Sequence, residues 1–474
     1  IERDPNGGLL QGMPGLIDQN EQKQATAHVL GTLGFTYQLW DGLVFTNLNG
    51  ADFTSANEDQ YLSMYNYTGS SSNGEAYRGQ SQVLNLISTN TLAFKRTIFK
   101  GDFDVVLGTE ARKEERRSVS ATGSNFPNDY IREVGFVSTD NRLGTTSRDK
   151  QTLLSYFGRA GYVYDKRYAI NYTYRKDGSS NFGKDVKWGT FSSIGAAWTV
   201  SNESFWSKNK VVDFLKFKIS YGNNGNSRFN SAYASGIYKY DSNYSYGGNS
   251  GTTMTRGVND GLKWETTKML NTGIDFRLFD RFNVAAEYYR NVTHDMIDDA
   301  YVSMVTGFRR TYQNVGKMQN TGLELSVNGA IVQKENFNWN ATFILSSNRN
   351  KVLQLNEDID RVSGNTIMRK GYNSRSYYLV RWAGVDPSTG DPMWYDLDGN
   401  VTKVYNTENR VLVGDSTPQY YGGLTNYVNY KNWNFSIFFK YSKGGYYFDQ
   451  ANRNNGLDGL NILSGNQSID MLNS

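Results

Sequence analysis

The segment GSSNFGKD, from Gly178 to Asp185, comes within one residue of a phosphate-cradling loop. Such a loop wraps backbone N–H groups around phosphate, brings a lysine to it and offers a Ser or Thr hydroxyl to magnesium. Here Asp185 holds the hydroxyl position, and the next residues, VKWGTFSSIGAAW, alternate like a strand. The helix N-terminus that would hold the anion is therefore missing, and a loop between strands is expected. The chain has two histidines, His28 and His294, far apart in sequence, and no cysteine. A thiolate or histidine metal centre, or histidine-based catalysis, is not expected from that inventory. Adjacent Asp298 and Asp299 read as a solvated loop rather than as an acid/base pair. DPSTGDPMWYDLDGN gathers Asp386, Asp391, Asp396 and Asp398 in one loop. Oxygen-rich loops can hold calcium, but the EF-hand spacing is absent. Asp398-Gly399 more simply makes a tight turn between PMWYD and VTKVY. Neither a metal nor a cofactor is expected.

Two aromatic groups suit recognition better. YKYDSNYSYGGN carries Tyr238, Tyr240, Tyr244 and Tyr246, and a later loop carries Trp382, Trp394 and Tyr395. Rings with an apolar body and a polar tip can stack on sugar faces or anchor a partner protein. The alternatives are an interfacial tyrosine girdle for the first group, or packing of each group within its own loop.

The elements that position these loops are strands. In MQNTGLELSVNGAIVQKENFNWNATFIL, Leu323, Leu325 and Val327 oppose Glu324, Ser326 and Asn328; after VQKEN, Phe337, Trp339, Ala341, Phe343 and Leu345 continue the period. The period-2 rule gives fourteen strands: 25–39, 43–54, 82–99, 102–115, 150–165, 167–176, 188–200, 213–224, 263–279, 281–296, 317–332, 336–349, 417–430 and 432–446. Short turns alternate with long connections over 55–81, 116–149, 225–262, 297–316 and 350–416. Soluble sandwiches and propellers have strands of about 5–6 residues. The strands here are long enough for a tilted membrane crossing of about 9–11 residues. Apolar residues are 38% of the chain and aromatics 14%, so only alternate positions are apolar. The expected class is all-β, an antiparallel up-and-down transmembrane barrel with the aromatic side to lipid and the polar side to a hydrated lumen. Phe276, Phe282, Leu325, Phe343 and Phe435 should then face lipid, and Arg277, Glu287, Glu324 and Asn340 the lumen. A formal charge of +4 on 474 residues gives no reason to expect nucleic acid.

YFGRAGYVYDKRYAINYTYRKDGSSNFGKDVKWGTFSSIGAAWTVSNESFW resembles the core of SusC/RagA-type TonB-dependent transporters. So do LKWETTKMLNTGIDFRLFDRFNVAAEYYRN, NVGKMQNTGLELSVNG, RWAGVDPSTGDPMWYDLDGN and STPQYYGGLTNYVNYKNWNFSIFFKYSKGG, in the same order, from about Ser81 to Asp449. The resemblance implies a barrel of about 22 strands with an N-terminal plug, of which fourteen are read here and roughly eight remain to be supplied. By that reading residues 1–24 are a flanking loop or strand remnant, 25–448 a barrel segment with long extracellular loops, and 449–474 an extracellular loop of a truncated chain. It also implies a nutrient importer of the oligosaccharide or peptide class in a Gram-negative outer membrane, not an enzyme. A SusD-like surface lipoprotein would form its lid, and TonB would act through the missing N-terminal part. The same barrel could instead serve as a scaffold, and a soluble β-rich protein acting on polysaccharide is the alternative from another class.

Overall fold

The computed structural model describes residues 19–66, 68–207, 211–227, 229, 232–235, 237–246, 249–455 and 469; the side chains of 232, 235, 237–246, 249–253, 255 and 454–455 lie outside that description. One antiparallel sheet has fourteen strands. Its first half is β1 (Glu21–Trp40), β2 (Leu43–Leu62), β3 (Glu75–Ile98), β4 (Gly101–Ser124), β5 (Arg142–Tyr164), β6 (Tyr168–Ser179), β7 (Trp188–Thr199) and β8 (Val212–Asn226). The long connection that follows holds the paired strands β9 (Ile237–Tyr246) and β10 (Asn249–Arg256). The sheet resumes with β11 (Glu265–Leu278), β12 (Phe282–Tyr301), β13 (Arg310–Lys334) and β14 (Phe337–Gln354). Next come the short strands β15 (Arg361–Ser363), β16 (Thr366–Met368), β17 (Ser376–Val380), β18 (Trp382–Val385), β19 (Pro392–Tyr395), β20 (Val401–Thr402) and β21 (Arg410–Asp415). Of these, β15, β16, β17 and β21 make one small sheet, and β18, β19 and β20 another. β22 (Tyr420–Tyr430) and β23 (Trp433–Lys443) complete the large sheet, in which β1 and β23 are the edges.

All fourteen segments read from the alternation are strands of this sheet, each paired with the next in chain order. Several run further than expected. β4 continues to Ser124 and β5 begins at Arg142, so the connection expected over 116–149 is shorter. The connections expected over 55–81 and 297–316 likewise shrink to the residues between Leu62 and Glu75 and between Tyr301 and Arg310. Beyond the lipid both faces of a hairpin meet water, so the apolar period fades while the backbone ladder continues.

The register fixes the faces, because residues directly opposite in adjacent strands share one. One ladder runs Tyr162, Ile170, Ala196, Ile219, Thr272, Tyr288 and Leu323 across β5, β6, β7, β8, β11, β12 and β13. The ladder one residue away runs Val163, Ala169, Ala197, Lys218, Gly273, Glu287 and Glu324. Phe276, Phe282, Leu325, Phe343 and Phe435 all fall on the first face; Arg277, Glu287, Glu324 and Asn340 all fall on the second. None of the described residues covers the apolar face: Ile219 is 51% and Leu323 61% exposed. That face belongs in lipid. Its rims are aromatic. Near the tight turns Tyr164 and Tyr168 stack at 6.5 Å, as do Tyr168 and Trp198, while at the other rim Tyr156 stacks on Trp188 at 6.1 Å. Eight residues of β5 separate Tyr164 from Tyr156, about 26 Å of strand or about 20 Å of height at the usual tilt, most of a lipid-facing band roughly 25 Å tall.

The turns beyond Tyr164 are tight. Gly42 takes φ +79°, where a Cβ would meet the Lys95 carbonyl oxygen at 2.4 Å. Asp165 and Lys166 both adopt left-handed φ, +50° and +54°. Such pairs match the right-handed twist of the strands they join.

Candidate functional site: lumen wall and outer loops

The polar face is a lattice of opposed charges. Arg175 meets Glu110 at 3.1 Å and Asp177 at 2.7 Å, with Ser155 Oγ accepting a third bond at 2.8 Å. Lys218 reaches Asp275 at 3.0 Å and Glu287 at 3.5 Å. It does so by lying across Gly273, where a Cβ would come within 2.4 Å of its Cε. Asn171, Lys218, Ser220, Asn271 and Glu287 line a hollow of about 250 Å³ in this wall. Charges in such a wall stay hydrated and avoid the burial penalty.

The long connections tie to one another. In GSSNFGKD, Asn181 and Phe182 are buried. Asn181 donates to Gln151 Oε1 at 3.1 Å and to the Ser227 carbonyl at 2.9 Å. Phe182 packs on Trp264, ring centroids 4.4 Å apart, and the Trp264 indole N–H donates to the Lys187 carbonyl at 3.0 Å. Strand β7 follows directly, so the segment is a pinned loop and not a phosphate cradle. A second cluster joins the end of β2 to the β4–β5 connection: Tyr61 packs edge-on to Phe126, and its hydroxyl donates to Asp129 at 2.8 Å.

Asp298 and Asp299, expected in a solvated loop, lie in the extension of β12 and are ion-paired. Asp299 takes Arg256 at 2.6 Å and Arg310 at 3.3 Å, and Asp298 takes Arg361. Two long connections and the first residue of β13 thus converge on two carboxylates. Tyr312 stacks on Tyr233 at 3.6 Å beside them, with Arg256 over the Tyr312 ring at 4.5 Å.

The four-aspartate loop also has an internal counter-charge. Lys403 Nζ lies 2.5 Å from Asp386 and 3.0 Å from Asp391. Hydrogen bonds from Lys403 and Ser388 hold the Asp386 carboxyl well below the usual carboxylate range; those from Thr389 and Lys403 lower Asp391. The ammonium occupies the place a calcium ion would need. Asp396 accepts from the Asn400 backbone at 2.8 Å, and Gly399 at φ +86° closes the turn between β19 and β20. That tight turn is the one read at Asp398-Gly399.

Of the aromatic candidates, Trp382 and Trp394 are brought together as a cross-strand pair of β18 and β19, 5.9 Å apart and edge-on. Tyr405, not singled out in the sequence, joins Trp394 at 5.4 Å. Trp382 and Tyr405 are 57% and 55% exposed, so the three rings form an open platform. Tyr395 projects from the other face of β19, with Arg381 over its ring at 5.2 Å. Tyr238, Tyr240, Tyr244 and Tyr246 lie on β9, and their side chains lie outside the described residues.

The model of the TonB dependent receptor-like β-barrel matches residues 4–465. TonB-dependent receptor P3 of Formosa agariphila is 29% identical over 471 residues, covering 92% of this chain and 46% of its own length. TonB-dependent receptor SusC of Bacteroides thetaiotaomicron is 27% identical over 429 residues, covering 84% of this chain and 42% of its own length. The chain thus spans less than half the length of these curated relatives. The RagAB peptide transporter structure superimposes with a TM-score of 0.85 at 24% identity, over 97% of this chain and 53% of the other.

Proposed function

Since this chain belongs to the TonB-dependent receptor β-barrel family, we propose that it forms part of the wall of a SusC-like importer in a Gram-negative outer membrane. Further strands would pair with the edges β1 and β23, because an open sheet edge is not tolerated in lipid. Cargo crosses along the polar face without chemical change, and its charges and amides suit a hydrated oligosaccharide or peptide. A SusD-like lipoprotein seats on the outer loops as a lid, and TonB drives the cycle through a segment preceding this part of the barrel. The residue assignment we propose for lid or cargo contact is Trp382, Trp394 and Tyr395, with Tyr238, Tyr240, Tyr244 and Tyr246 as the second group. The observation that carries the reading is the pairing of an uncovered apolar belt with an ion-paired polar face in one register.

The test is done on the full-length protein in its own host. Trp382, Trp394, Tyr395 and their neighbour Tyr405 are changed together to alanine, and lipoprotein copurification and nutrient-dependent growth are measured. Loss of either with normal barrel assembly supports the reading. Unchanged copurification and growth would remove the platform from it.

A further inference from the structure

On β4 the apolar face continues outward, without a break in register, through Leu107, Thr109, Ala111, Lys113, Glu115 and Arg117. Their partners on β5 are Gly158, Tyr156, Leu154, Thr152, Lys150 and Arg148. The same face that meets lipid at Leu107 therefore turns cationic above the Tyr156–Trp188 rim. Lys113, Arg117 and Arg148 surround Glu115 at 3.0, 2.5 and 2.8 Å, and Lys150 stands exposed opposite it. One carboxylate cannot balance four cations, and Arg117 and Arg148 keep 59% and 62% of their side chains exposed. Lys176 adds a cation at the rim, 5.6 Å over the Trp188 ring.

Directly below this cluster the lipid face is hollowed. A groove of about 860 Å³ runs between Gly31, Ala51, Leu86, Ala111, Leu154 and Gly178, with Lys113 at its lip. It continues toward the tight turns as a second groove of about 610 Å³ past Leu92, Leu107 and Tyr172. Small residues open the channel and large ones wall it.

We propose that these strands form a binding site for a phosphorylated lipid of the outer leaflet, with its anionic head group on Lys113, Arg117, Arg148 and Lys150 and its acyl chains in the two grooves. Lys113 stands four residues above the rim at Thr109 and Tyr156, roughly 13 Å along the strand and about 10 Å up the membrane normal at the usual tilt. That puts the cluster at the level of the head groups just above the rim. Charge complementarity selects the occupant: a net positive cluster over an apolar channel fits an anionic amphiphile and not a neutral one. The proposal requires the barrel's place in a membrane and is independent of transport or of the lid.

The experiment uses native mass spectrometry of the full-length protein in detergent. The probes are bisphosphorylated lipid A, dephosphorylated lipid A, phosphatidylcholine and inorganic phosphate. The substituted protein carries Lys113→Gln, Glu115→Gln, Arg117→Gln and Arg148→Gln together, which leaves no carboxylate stranded. Bisphosphorylated lipid A should bind the parent protein at least fivefold more than either neutral lipid, and the quadruple variant should lose that excess while migrating as a folded barrel. Glu115→Gln alone frees the cations and should bind at least as well as the parent. Equal binding of all three lipids to the parent protein overturns the proposal, whatever the variant's folding. So does retention of lipid A by a folded quadruple variant, or displacement of lipid A by millimolar phosphate, which would make the cluster a soluble-anion site.

Discussion

The barrel wall and the outer loops are held together by different kinds of contact. In the wall each residue meets partners that the register assigns, so Leu325 sits between Ala286 and Leu345 by position alone. In the loops the decisive contacts join residues far apart in the chain: Asp298 to Arg361, Phe182 to Trp264, Tyr61 to Asp129. The wall follows from a local rule applied many times. The loops depend on a few specific meetings, each of which one substitution can cancel.

The sharpest way to break that contrast is in the wall. Leu325→Arg puts a cation in hydrocarbon and should cost about 2–4 kcal/mol if it lies near the midplane. Glu324→Gln, one residue along on the hydrated face, should stay within roughly 0.5 kcal/mol of the parent. Urea midpoints in micelles would compare the two. Equal losses would mean that the faces are wrongly assigned.

This difference also explains what was legible beforehand. A period of two needs only side-chain polarity, and it located all fourteen strands and both faces. Their outer extensions were missed because residues such as Val119 and its partner Thr146 lie beyond the bilayer, where neither face meets lipid, so no period remains to read. Trp382 and Trp394 stood out by residue type, yet their pairing depends on a register within the loop, and Tyr405 had no signal of its own. Lys403 is the instructive omission. Four aspartates invited a cation from outside, while VTKVY already carried one that β20 delivers to Asp386 and Asp391.

The next effect in size lies in the loops. Asp299→Ala removes the partner of Arg256 and Arg310 and should lower local stability by roughly 1–3 kcal/mol. Hydrogen exchange should quicken in β10 and the outer end of β13, with the wall near Leu325 unchanged. A change spread evenly over the sheet would erase the distinction between loops and wall. Trp394→Ala should do less. It removes two edge-on ring contacts, each contributing about 0.5–1.5 kcal/mol beyond burial, and should loosen β18 and β20 alone.

The smallest expected effect is the absence of one. Asp386 and Asp391 have carboxyls held below the usual 3.8 by Lys403 and neighbouring hydroxyls. A carboxylate whose folded pKa is depressed stabilises the fold at every pH above its unfolded value, and that stabilisation is lost only as pH falls toward the folded value. Between pH 7 and about 4.5 both groups therefore stay ionised in the folded loop, and Lys403, whose own pKa is raised by the same contacts, stays charged. Amide exchange across 382–402, corrected for its intrinsic pH dependence, should show the same protection at pH 7 and pH 4.5. Protection should fall only when the pH drops below the ordinary aspartate range. Lys403→Met should lose protection already at pH 7, because two facing carboxylates then repel without a counter-charge. A loop that opened between pH 7 and 4.5 in the parent protein would mean that the lysine does not hold these aspartates, and the four-aspartate loop would again lack the cation its composition invites.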